Sequence, residues 1–463
     1  IFDQIGDYSN VEAFANPLKK EIDSIEIARG DVQEAEMLFE ARDYIPAAIK
    51  FEYIMGVSEG FVYSYANRRL SELKTVMYEP IMEQCDKLLE NFRYYSAEKI
   101  LSDMARIFPD DQKVQAKLLD ATSNTVLVEN YFGQIEVICV KPLIADTVLA
   151  FSTGSSSTTE SFYLTCEEFK RILQALYDKD YVLVDPHSMV DMTNDTFLLD
   201  KALVVPKGKK PLVVVVENVN YSAYLYGKGF CSKLVFNDQD QVCGEYLNAS
   251  GQKVVSRTAE AIGILDSFVE ANPDFSFNGT KGIISLSGYE TVFGYITDAD
   301  QIDDRNEALA AMALPEENPS EEDIELNRQK VIEIVALLKD KGWNFASSTY
   351  GYINADDSTM EVIQNDTDKW LKQVASLTGK VDMLVYPNGN FIKGSDSRCV
   401  YLKNLGFRIF FGVGPYPYYT FGDNYLYMDR AMMNGDTLRN VNYSRLFTAS
   451  TIYDSARKNN LAG

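Results

Sequence analysis

Seven short apolar runs between Ile135 and Val413 constrain the fold of this chain more than any other feature. They are I-E-V-I-C-V (from Ile135), Y-V-L-V (from Tyr181), P-L-V-V-V-V (from Pro211), G-I-I-S-L (from Gly282), W-N-F-A-S (from Trp343), V-D-M-L-V-Y (from Val381) and F-R-I-F-F-G-V (from Phe407). Continuous β-branched runs of this kind suit strands buried on both faces, as in a parallel sheet or barrel. Amphipathic helices separate them. One is expected to begin at Asn318-Pro319, with Glu321 completing a capping box. It carries Ile324, Val331, Ile334, Val335 and Leu338 on one stripe and ends at Gly342. Another is expected from Asp366 through Trp370 and Val374 to Gly379. Strand–helix alternation of this length predicts an α/β fold over 129–463, a distorted (β/α) barrel in preference to a doubly wound sheet.

Residues 1–128 read differently, as an all-α domain. Ala35 to Tyr53 places Leu38, Tyr44, Ala48 and Phe51 on two helix faces around a short turn. A related pattern returns over Lys87 to Asp111, where Ala97 follows Tyr94 by three residues as Ala47 follows Tyr44, and Pro109 stops the helix. The pattern resembles tetratricopeptide helix pairs, which bury one face by stacking on a neighbour. Its 50-residue separation exceeds the usual ~34, so an insertion or an extra helix is expected between the copies. A plain helical bundle is the alternative, and either would serve as a scaffold or protein-interaction module.

Charge narrows the functions. Against 68 acidic residues stand 44 basic ones, a net charge of −24, which excludes a phosphate-seeking nucleic-acid binder or an anionic membrane surface as partner. Eleven of the acids lie between Asp298 and Glu325 with one arginine, a stretch expected to be a solvated, mobile loop and helix start without chemistry of its own. The six cysteines form no C-x-x-C pair, and only Cys231 and Cys243 are near enough for a hairpin cross-link; unpaired thiols are expected. No apolar run reaches the ~18 residues of a spanning helix. The chain opens at Ile1, so a signal or anchor segment is expected to have been removed. A single histidine, His187, rules out any site that needs two imidazoles.

In barrels, acting residues follow the C-terminal ends of strands. Here those positions hold Glu217-Asn218-Val219-Asn220-Tyr221, Ser348-Thr349-Tyr350-Gly351-Tyr352 and Tyr386-Pro387-Asn388-Gly389. Together with Leu164 to Asp185, Asn272 to Tyr289 and V-F-G-Y (from Val292), they resemble the polysaccharide deacetylases. These are metal-dependent carbohydrate esterases of the glycoside hydrolase/deacetylase superfamily. The resemblance runs from about Asn130 to Asn440, is strongest to an exported Gram-positive subgroup, and implies an extracellular or cell-surface location. Active members use one Asp and two His of an H-[ST]-x-x-H motif to hold a zinc-like ion, a second Asp as base and a late His as acid. Two imidazoles and a carboxylate leave an open position and lower the pKa of bound water to about 7.

By the same resemblance, this chain has Glu217 at the base position, Asn218 at the metal-binding Asp, and Ser348 and Tyr352 at the two His. Lys141 stands for another His and Ile296 for an Arg. No metal and no cofactor are therefore expected, and the implied protein is a pseudoenzyme that binds a polysaccharide or peptidoglycan-type glycan in the old cleft. Glu217 is the candidate degenerate base. Lys141, Asn218, Tyr221, Ser348, Tyr352, Tyr386, Asn388 and Arg430 are the candidate glycan contacts. Rings in Asn220–Tyr226 and Pro415–Arg430 offer faces for sugar C–H groups. Two other readings stay open: an active glycan hydrolase using Glu217, either a metal-free glycosidase with a second carboxylate about 5–10 Å away or an atypical deacetylase, and an assembly scaffold that binds no glycan. His187, beside Asp185, reads as a loop histidine, and Asn248-Ala249-Ser250 matches a glycosylation acceptor.

Overall fold

In the computed structural model, which describes residues 9–152, 156–190 and 203–457, two compact units part between Thr125 and Val126. The first is helical. A long helix, Ser9–Glu40, turns into a short one, Tyr44–Val57; a second long helix, Gly60–Glu90, turns into a second short one, Tyr94–Ile107; Gln112–Asn124 follows. The short helices and their turns repeat at an offset of 50 residues, down to the left-handed turn residues Arg42 (φ 61°) and Phe92 (φ 60°). No extra helix lies between the copies. The added length sits in the first helix of each pair, 32 and 31 residues long. Ala47, Ala48 and Ala97 are fully buried, so the helices approach closely at these small residues, around Phe51, Leu73, Met77, Leu101 and Met104.

The second unit is a closed barrel of seven parallel strands: β1 (Glu136–Val140), β2 (Lys210–Val216), β3 (Ile283–Leu286), β4 (Asn344–Ser347), β5 (Met383–Val385), β6 (Ile409–Val413) and β7 (Tyr425–Met432). They pair in chain order, and β7 closes the ring on β1 through Ala431↔Ile138 and Met432↔Cys139. Period-two alternation sorts their side chains. Val137, Cys139, Val213, Val215, Ile283, Ala346, Met383, Val385, Ile409, Phe411, Leu426 and Met428 fill the lumen. The alternate residues, such as Ile138, Val214, Ile284 and Phe410, meet the surrounding helices.

Two expectations need correcting. The run at Tyr181 forms only Tyr181–Leu183, which pairs with the first half of β2 and leaves β2's second half to β3. It is a wedge at the N-terminal end, cut short where Pro186 starts a 3₁₀ turn. In its place β7 completes the ring. Its tyrosines are expected to offer faces to a sugar, yet Leu426 and Met428 point inward and the strand pairs antiparallel with Tyr418–Gly422. An antiparallel three-stranded sheet, Cys231–Phe236, Val242–Leu247 and Lys253–Ser256, is inserted after β2. In it Cys231 faces Tyr246 and Cys243 faces Val235, so no cross-link forms, and all six thiols are unpaired.

The helices also shift slightly. The helix expected at Pro319 is Glu321–Asp340, and its capping box is Ser320 with Asp323, because the hydroxyl at the cap reaches the N–H three residues on. The helix expected from Asp366 begins at Met360, capped by Thr359. The acidic stretch contains a helix, Asp300–Ala311, with Arg305 buried in it. No helix among the described residues is long and apolar enough to cross a membrane.

Candidate functional site

Continuing the inward alternation places Lys141, Glu217 and Ser348 just past β1, β2 and β4, and Arg430 near the end of β7, at the C-terminal mouth of the lumen. Glu217 and Arg430 are fully buried and form an ion pair, with Arg430 Nε donating to Glu217 Oε1. The same guanidinium donates to the carbonyls of Tyr386 (2.8 Å), Phe411 (3.0 Å) and Gly412 (2.6 Å), tying β7 to the ends of β5 and β6. Cys139 Sγ adds a second donor to Glu217 Oε1 at 2.9 Å. Burial pushes the Glu217 carboxyl up, but the charge and hydrogen bond of Arg430 outweigh it and hold the group below its usual value. Burial and the Glu217 charge drive the Cys139 thiol well above its normal range, so it stays neutral. Glu217 Oε2 and Ser285 Oγ are buried without a partner among the described residues.

Above this plug the strand-end loops build a small pocket of about 190 Å³. Pro142 follows β1, Asn218, Asn220 and Ser222 follow β2, Tyr289 follows β3 and Tyr352 follows β4; Tyr163, Tyr224 and Leu225 complete the wall. These loops hold left-handed residues that are not glycine, among them Asn218 (φ 58°), Tyr221 (φ 54°), Glu290 (φ 64°), Thr349 (φ 61°) and Tyr352 (φ 53°). Such conformations cost of order 1–3 kcal/mol each and persist where neighbours over-determine them. The neighbours are visible. Asn220 Nδ2 donates to the Tyr289 carbonyl (3.0 Å), Ala223 N donates to Glu290 Oε2 (2.7 Å), and Asp366 accepts from Tyr350 N and Gly351 N at 2.7 Å each. Arg305, the single arginine of the acidic stretch, is buried against Glu290 at 3.0 Å and reaches the Tyr221 carbonyl at 3.4 Å. It pins two pocket loops together, so that stretch is more than a solvated loop.

The candidate residues divide accordingly. Asn218 and Tyr352 line the pocket, with Glu217 and Arg430 sealed beneath. Burial and the Glu217 charge hold the Tyr352 phenol well above its usual value, and Lys141 is near enough to act on Glu217 electrostatically. Ser348 is buried, its hydroxyl 3.4 Å from the Val385 carbonyl. Tyr386 stacks on Phe410 in the outer core, 5.9 Å between centroids. Tyr221 is buried beside Glu260, and Asn388 is exposed on the β5 loop; neither lines the pocket. Of the aromatic segments, Asn220–Tyr226 contributes to the pocket, whereas Pro415–Arg430 does not.

The resemblance implies a zinc-like ion, and the donors here do not fit one. A guanidinium already occupies the Glu217 carboxylate, Asn218 is neutral, and Ser348 and Tyr352 offer a hydroxyl and a protonated phenol. Among the described residues no group of three or more His, Cys, Asp or Glu side chains is placed to hold a metal ion.

No family model matches the chain, and no curated protein does. Among solved structures it is similar to the Streptococcus pyogenes deacetylase PplD in complex with acetate, at 10% identity and a TM-score of 0.36, covering 66% of this chain and 94% of that one.

Sequence reasoning missed Tyr163, Ser222 and Tyr289 as wall residues and Cys139 and Arg305 as supports. Tyr289 was within reach, since it sits three residues beyond the end of β3. His187 lies elsewhere, at the N-terminal end of the barrel, where Nδ1 meets Asp185 at 2.7 Å and Nε2 meets Asp382 at 2.9 Å. Burial alone would lower its pKa, but the two carboxylates raise it to about 10, so it acts as a fixed cation in a structural cluster. Asn248 closes a hairpin turn, its Oδ1 accepting from Ser250 N and Gln252 N.

Proposed function

We propose that this protein is a non-catalytic relative of the polysaccharide deacetylases that works at the cell surface. It binds an uncharged glycan in the mouth pocket, and its helical unit, with tetratricopeptide-like pairs, engages a partner protein. The observation that carries the reading is the Glu217–Arg430 pair. A base must be open to the proton it removes, and this carboxylate is fully buried and charge-neutralised by Arg430. What remains exposed is a wall of tyrosines and amides with no carboxylate, lysine, arginine or histidine among its residues. That composition suits C–H faces and hydroxyls better than acid–base chemistry. The glycosidase alternative requires a second carboxylate across an open groove from Glu217, and none lines this pocket.

The test is retention of the purified protein on insoluble cell-wall polysaccharide, compared with the Tyr289→Ala/Tyr352→Ala double variant. Retention lost in the variant supports glycan binding through the pocket. Absence of retention in the wild type leaves the scaffold reading in its place.

A further inference from the structure

We propose that the mouth pocket takes a single uncharged pyranose ring, presented as a chain end or a pendant residue, and not the interior of a polymer. The inference rests on the glycan reading above and specifies what part of a glycan that site accepts.

Size is the first argument. A volume of about 190 Å³ holds about six waters at ~30 Å³ each, which is room for one substituted six-membered ring. Pockets that enclose larger ligands run to ~300–1,000 Å³. Shape points the same way. The wall comes from loops after β1, β2, β3 and β4 together with Tyr163 and the Ala223–Leu225 turn, so among the described residues several elements converge on one small, partly open space. Those loops are cross-tied: Thr291 Oγ1 donates to the Asn220 carbonyl, Asn220 Nδ2 to the Tyr289 carbonyl, and Arg305 bridges Glu290 and the Tyr221 carbonyl. A wall fixed in this way cannot open into a groove without breaking several buried hydrogen bonds.

Chemistry is the third. Tyr289 and Tyr224 are partly exposed rings at the rim that can cover a ring's C–H face. Asn220 has its amide N–H₂ committed to Tyr289, which leaves Oδ1 to accept from a hydroxyl or an amide N–H. Asn218 and Ser222 add a side-chain amide and a hydroxyl. A ring of tyrosines could also attract a quaternary ammonium. Here, however, the Lys228 ammonium already sits 3.7 Å from the Tyr224 centroid, so one aromatic face carries a cation and the site repels another.

The experiment is ligand titration of the full chain by calorimetry or saturation-transfer NMR. The probes are glucose, N-acetylglucosamine, their β-1,4-linked tetramers and tetramethylammonium. The expected result is that one sugar series binds with monomer and tetramer affinities within about threefold of each other. Tyr289→Ala, a rim change in a partly exposed residue, should weaken both roughly tenfold. Asn218→Ala should do the same if the first variant misfolds. A tetramer binding ten or more times tighter than its monomer overturns the single-ring claim while leaving glycan binding intact. No binding by any sugar overturns the glycan reading itself, and binding of tetramethylammonium alone overturns the ligand class.

Discussion

Replacing Arg430 by methionine isolates the feature on which the account depends. The guanidinium and the Glu217 carboxylate are both fully buried, and the carboxylate's second oxygen already lacks a partner. Removing one member of such a pair typically costs ~3–5 kcal/mol because the other charge is left uncompensated. The carbonyls of Tyr386, Phe411 and Gly412 lose a donor as well. A loss of about 4 kcal/mol or more at pH 7 follows, a large part of the ~5–15 kcal/mol that holds a domain folded. Urea unfolding followed by tryptophan fluorescence measures it cleanly, since both tryptophans, Trp343 and Trp370, are buried in the barrel unit.

The pH dependence of this loss has a definite sign. In the wild type the Glu217 pKa is depressed, so its contribution is present above about 4.5 and is lost as pH falls through the depressed value. Without Arg430 only the Cys139 hydrogen bond and the Lys141 charge oppose burial, so the pKa should rise and the variant's penalty should grow from pH 4 to pH 8. The Glu217→Leu/Arg430→Met double variant removes both charges and should recover much of the loss. A loss under 1 kcal/mol, or a variant penalty that does not change with pH, would refute the claim that this pair plugs the barrel.

Three further outcomes are expected. Glu260 is fully buried at the start of helix Ala261–Ala271, and burial raises its pKa from 4.5 to about 7. The stabilisation it gives is present below pH 4.5 and lost as pH rises through 7, so wild type should lose about 3 kcal/mol relative to Glu260→Gln between pH 4 and pH 8 in urea unfolding; parallel profiles would count against it. His187 is the only histidine, so its two ring C–H signals are assigned without ambiguity, and it should stay protonated through pH 8; a midpoint near 6.5 would mean that the Asp185 and Asp382 contacts do not form in solution. Ala97→Leu overfills a fully buried contact in the helical unit and should cost ~1–3 kcal/mol, read from helix ellipticity, without moving the tryptophan transition.

The barrel was legible because its strands are uninterrupted β-branched runs, and six of the seven ring strands lie where those runs predict them. The seventh was hidden because Tyr425 and Tyr427 present an aromatic face outward, and their alternation with Leu426, Met428 and Arg430 resembles a surface patch more than a core strand. Asn218 and Tyr352 were legible from the rule that sites follow strand ends. Their supports were not, because nothing local in the sequence links Arg305 to Glu290 and Tyr221. Arg430 was picked out for its aromatic neighbours. Its inward position two residues past Met428 is what sets it against Glu217.

The most direct test of the central claim is elemental analysis of the purified chain after incubation with zinc and dialysis, with acetate release from acetylated chitooligosaccharides measured on the same sample. With Arg430 holding Glu217 at the mouth, metal should remain far below one equivalent and no acetate should appear above the protein-free blank. One equivalent of zinc retained together with acetate release would contradict the account.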